Sequence, residues 1–70
     1  MLGENVRRLR EARAMSQAEL GALVGTNQSM ISQVELGSTK PSYDRLVALA
    51  RVLGVSLDDL TGVRENSAVN

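Results

Sequence analysis

Four uncharged polar side chains, Gln28, Ser29, Ser32 and Gln33, fall within one short stretch. Wound as an α-helix at about 100° per residue, they share one side with Leu36, while Met30, Ile31 and Val34 take the other. A solvated helix face usually carries Lys and Glu, yet no charge lies between Gln28 and Val34. These groups hydrogen-bond without titrating. A Gln amide can bond bidentately to N6 and N7 of adenine, and a Ser hydroxyl donates or accepts as required. The same residues also suit a face that simply meets water, and taken alone they leave both readings open.

Catalytic chemistry has little to work with. The chain has no Cys and no His, so disulfides, thiolate metal sites and the commonest general base are absent. Asp58 and Asp59 form the one adjacent carboxylate pair of the last predicted helix. Neighbours on a helix point about 100° apart and do not readily share a substrate atom, so they read as a solvated or capping pair. The expectation is a chain that is not an enzyme and takes no metal or cofactor.

The elements that must position these residues are helical. Seventy residues suffice for one domain with a small core. The apolar supply is aliphatic, without Phe or Trp and with Tyr43 as the one aromatic residue, which suits a helical bundle better than a sheet. The longest apolar run, Leu46 to Ala50, stops at Arg51, and the N-terminus lacks a signal peptide's apolar stretch. No membrane association and a cytoplasmic location are the expectations. The net charge of zero counts against a non-specific DNA coat. The charge is nevertheless unevenly placed, with Arg7, Arg8, Arg10 and Arg13 near the start and Asp58, Asp59 and Glu65 near the end.

Punctuation predicts an all-α, compact bundle of five helices. The first runs over about 2–14, with Leu2, Val6, Leu9 and Arg13 on one stripe, Arg7 and Arg8 pointing away and Arg10 at the stripe's edge. Ser16 caps the second, Glu19 completes a capping box, and Met15 is placed to staple onto Leu20. Ala18, Leu20, Leu23 and Val24 supply its apolar content, and Gly25 ends it. Thr26 or Asn27 caps the third, which stops at Gly37 before a loop through Pro41. Ser42 caps the fourth, which buries Leu46, Leu49, Ala50 and Leu53 before Gly54. Ser56 caps a short fifth, with Val55 stapling onto Leu60. The expected division is a domain over 1–61 and a polar, flexible tail over 62–70.

The second and third helices carry the features of a helix-turn-helix. Their steep crossing needs a small residue, which Gly21 provides, and the turn needs a residue tolerant of positive φ, which Gly25 provides. Ile31 and Val34 then face Leu20 and the core.

The segments Ser16-Gln17-Ala18-Glu19-Leu20, Gly25-Thr26-Asn27-Gln28-Ser29, Ile31-Ser32-Gln33-Val34-Glu35 with Gly37, Pro41-Ser42 and Leu53-Gly54-Val55-Ser56-Leu57-Asp58-Asp59-Leu60 closely resemble the Cro/C1 (Xre) family of helix-turn-helix regulators. The likeness spans roughly residues 3–61 and is particularly close to the DNA-binding domains of lambdoid phage repressors. It implies a lambda-repressor-like fold and a sequence-specific regulator of transcription, a repressor, whose partner is a double-stranded DNA operator.

By that resemblance Gln17 contacts a phosphate and braces Gln28, and base reading falls to Gln28, Ser29 and Gln33, with Ser32 as a fourth candidate. Further phosphate contacts come from Asn27, Ser38, Thr39, Lys40 and Tyr43. Arg10 and Glu35 pair to tie the first helix to the third. Leu36 departs from the family, whose members often carry a phosphate-reaching Asn there. The family binds pseudo-palindromic sites as homodimers, which points to Val55, Leu57, Asp58 and Leu60 as the dimer interface of a pair that is weak off DNA. The competing expectation is a protein-interaction module, an antitoxin or adaptor on the same fold, favoured by the low net charge and by Leu36.

Overall fold

The computed structural model describes residues 1–62. The five expected helices are α1 (Leu2–Ala12), α2 (Gln17–Leu23), α3 (Gln28–Leu36), α4 (Tyr43–Leu53) and α5 (Leu57–Thr61). The expected tail lies, from residue 63 onward, outside the described residues. Gly62 is the left-handed cap of α5.

Side-chain caps start four of the helices. The Ser16 hydroxyl accepts from the Glu19 N–H at 2.9 Å, and the Glu19 carboxylate accepts from the Ser16 N–H at 2.8 Å, completing the capping box. Asn27, not Thr26, caps α3, its Oδ1 accepting from the Met30 N–H at 2.9 Å. Ser42 and Ser56 do the same for α4 and α5. Each such bond satisfies an N–H that the helix leaves without a partner, and losing one costs about 1 kcal/mol.

The first helix ends two residues before the expected Ala14. Ala14 takes a left-handed conformation, φ 54°, with its N–H donating to the Glu11 carbonyl and that of Met15 to the Arg10 carbonyl. This paired pattern usually has Gly at the left-handed position, as it does at Gly37 and Gly54.

One core joins all five helices: Val6, Leu20, Ile31, Val34, Leu49, Leu53 and Leu60 are each under 2% exposed. Burying an aliphatic side chain of this kind stabilises the fold by roughly 1.5–3 kcal/mol. Three sequence expectations are corrected. Arg13 of the predicted stripe is exposed while Arg10, placed at its edge, is buried. Ala18 and Leu23 are exposed, because a seven-residue helix turns one face inward and Leu20, Gly21 and Val24 occupy it. Leu46 is half-buried rather than buried.

Candidate nucleic-acid interface

The angle between α2 and α3 depends on a missing side chain. A Cβ on Gly21 would lie 2.7 Å from the carbonyl carbon of Asn27 and 2.8 Å from its oxygen, both immovable backbone. Gly25 then turns the chain at φ 79°, and the Thr26 N–H donates to the Gly21 carbonyl at 2.7 Å. Ile31 and Val34, at 0% and 1% exposure, fix the inner face of α3. Its outer face is thereby set. Gln28, Ser29 and Gln33 are exposed and Ser32 is half-buried. None of these four side chains hydrogen-bonds to another described residue, so their donors and acceptors are uncommitted.

A buried ion pair holds α3 against α1. The Arg10 guanidinium donates through Nε to Glu35 Oε2 at 2.6 Å and through Nη2 to Glu35 Oε1 at 3.1 Å. Its Nη1 donates to the Met15 carbonyl at 2.7 Å. Gln17 adds a bond from Nε2 to Glu35 Oε1 at 3.0 Å. The two charged side chains are 11% and 4% exposed. The carboxylate thus joins α1, the start of α2 and the end of α3, and the guanidinium adds the turn after α1. The Glu35 hydrogen bond raises the Arg10 pKa above the ordinary arginine value, burial opposes it, and the charges of Glu35 and Glu11 assist. A raised cation stabilises at every pH below the ordinary arginine range and loses that contribution only as pH climbs past the folded value. The charge of Arg10 therefore stays constant at every pH below the arginine range.

The remaining site residues fall into place unevenly. Lys40 is exposed and makes no ion pair among the described residues. Tyr43 opens α4 with 69% of its surface exposed, and Thr39 is half-buried. Gln17, expected to brace Gln28, gives its amide N–H to Glu35 instead. The Asn27 carbonyl oxygen is committed to its cap. Ser38 turns both its N–H and its hydroxyl back to the Gln33 carbonyl, at 3.0 and 3.2 Å, so a hydroxyl contact to a phosphate requires that side chain to rotate. Leu36 is 80% exposed at the end of α3. In the group expected to pair two copies, Val55 and Leu57 are half-buried and Asp58 is exposed. Leu60 is corrected: at 0% exposure it belongs to the core and has no surface to offer a partner.

Two positioning residues escaped sequence reasoning. A Cβ on Gly3 would lie 2.5 Å from the Glu35 carbonyl oxygen, so α1 and α3 touch through backbone there. Asn5 donates from Nδ2 to the Leu60 carbonyl at 2.9 Å, fastening α1 to the end of α5. Gly3 carries no turn signal, and the partner of Asn5 is 55 residues away, so neither contact leaves a local signature. Among the described residues no helix is long and apolar enough to cross a membrane.

Comparison with known proteins places this geometry. The chain is 44% identical over 54 residues to the HTH-type transcriptional regulator y4dL of Sinorhizobium fredii (strain NBRC 101917 / NGR234), covering 77% of this chain and 28% of the relative. It is 38% identical over 60 residues to repressor protein C2 of Salmonella phage P22, covering 86% of this chain and 28% of that one. The chain thus spans under a third of either relative's length. The crystal structure of the P22 c2 repressor in complex with a synthetic operator superposes with a TM-score of 0.83 at 38% identity, covering 86% of this chain and 91% of that one. The helix-turn-helix family profile matches residues 6–60. Fold, turn geometry and family match agree: the chain belongs to the helix-turn-helix family, in its Cro/C1 (Xre) type.

Proposed function

We propose that this chain is a sequence-specific DNA-binding unit of a transcriptional repressor, which inserts α3 into the major groove and binds a pseudo-palindromic operator as a dimer. The observation that carries the reading is the outer face of α3, where the exposed amides and hydroxyls of Gln28, Ser29 and Gln33 make no hydrogen bonds among the described residues. Buried scaffolding holds that face still, and uncharged donors and acceptors of this kind match base edges. The P22 c2 relative, solved on an operator, supports the same use of the fold.

In this reading base recognition belongs to Gln28, Ser29 and Gln33, with Ser32 at the margin. Lys40 and Tyr43, both exposed after α3, meet the phosphate backbone, with Thr39, Ser38, Asn27 and Gln17 as weaker contributors because their polar atoms are partly covered or committed. Two copies meet through Val55, Leu57 and Asp58. With little apolar surface there, the pair forms mainly on DNA.

The test compares two variants on a duplex selected by the protein and on random duplex. Gln28→Ala should cost about 1–3 kcal/mol on the selected site and little on random DNA. Lys40→Ala should weaken both similarly and flatten the salt dependence by about 0.9 in slope. Equal losses from Gln28→Ala on both duplexes would remove it from base reading.

A further inference from the structure

Glu11 is poorly explained by the stability of the helix it sits on. It lies in the last turn of α1 (Leu2–Ala12), where a carboxylate opposes the helix dipole. Its partner Arg7 precedes it by one turn, the less favourable order for such a pair. Both side chains are more than half exposed, at 66% and 55%, so their bond contributes little to folding.

Its position is more telling. Glu11 Oε2 lies 3.3 Å from Arg7 Nε and 3.9 Å from Arg10 Nη2, one oxygen between two guanidiniums. These groups line an open cleft of about 240 Å³ between α1 and α3, together with Gln17 from the start of α2, Ser32 and Leu36 from α3, and Glu35, whose carboxylate is already held by Arg10 and Gln17. The cleft therefore borders the face that carries the base-reading candidates. A helix with its side chains, about 10–12 Å across, fills a major groove about 12 Å wide. Groups flanking α3 then meet the phosphate ridge rather than the bases.

We infer that this cleft receives a backbone phosphate of the DNA duplex through Arg7, and that Glu11 attenuates the binding by holding Arg7 in the free protein and repelling the phosphate in the complex. This rests on the DNA-binding reading above. On binding, the Arg7 guanidinium leaves Glu11 for a phosphate oxygen. The exchange replaces one ion pair with another, and the displaced carboxylate stays nearby as a like charge. The attenuation is independent of base sequence, so it weakens random and specific binding together and keeps the neutral chain from coating DNA.

The experiment titrates wild type, Glu11→Gln and Arg7→Gln against a short random duplex and a selected duplex over a series of salt concentrations. Glu11→Gln should bind both duplexes about three- to tenfold more tightly at low salt, the size of one screened contact repulsion. Its salt slope should change far less than that of Arg7→Gln, because Arg7 meets one phosphate in wild type as well. Arg7→Gln should bind both more weakly, with a slope flatter by about 0.9. Melting midpoints should be nearly unchanged in both variants, separating the effect from folding. Unchanged or weaker binding by Glu11→Gln would overturn the inference while wild-type binding leaves the DNA reading intact. Wild type without salt-dependent duplex binding would instead overturn the DNA reading, and the inference with it.

Discussion

Removing the Glu35 carboxylate should do more damage than any other single change outside the apolar core. In Glu35→Ala the Arg10 side chain, 11% exposed, loses two of its three hydrogen bonds, and Gln17 loses the one it makes. A buried charge deprived of its partner typically costs about 3–5 kcal/mol. A domain of this size has a total stability of only about 3–10 kcal/mol, so the loss is a large part of the whole. At about 4–8 °C per kcal/mol for small domains, the melting midpoint should fall by tens of degrees or the chain should be largely unfolded at room temperature. Urea denaturation followed by circular dichroism measures it, with the slope checked so that a change in the unfolded state is not mistaken for lost stability. The double variant Arg10→Met with Glu35→Leu separates the pair's net value from the cost of orphaning one member. Apolar replacements of similar size should recover most of the loss, since attraction within such a pair roughly offsets its desolvation. A Glu35→Ala cost under about 1 kcal/mol, the range of exposed pairs, would refute the argument from burial.

Two more changes probe the backbone. Gly21→Ala forces a methyl group against the Asn27 backbone at 2.7 Å; thermal unfolding should show about 1–3 kcal/mol of destabilisation, and DNA binding should fall with it as α3 shifts. Ala14→Gly should do the reverse, because a left-handed Ala costs about 1–2 kcal/mol and the added freedom of Gly in the unfolded chain offsets about 0.4–1 of it; a net gain of up to about 1.5 kcal/mol is expected in the same melt.

What the sequence disclosed was local chemistry. Ser16, Asn27, Ser42 and Ser56 announce helix starts because their side chains bond N–H groups two or three residues on. Gly21 was legible because a steep crossing demands a small residue, and the geometry bears that out. The end of α1 was not, since Ala14 adopts a conformation that its residue type disfavours. Arg10 lay at a stripe's edge in periodicity alone, and its partner came from the family resemblance; the share of Gln17 in the same carboxylate depends on how α2 is tilted, which no local pattern encodes. Leu60 was misplaced at an interface because its spacing does not distinguish a surface that waits for a second copy from one buried within the chain, where α5 packs on α1 and α4. Glu11 drew no attention because its significance lies in a cleft assembled from three helices.

The most direct test is selection of bound sequences from a randomised duplex pool at moderate salt, using protein shown to be folded. The reading predicts enrichment of an inverted repeat whose half-site centres are about one helical turn, or 34–36 Å, apart. Enrichment of nothing by the folded protein would contradict it, and would shift the function of this fold to recognition of a protein partner.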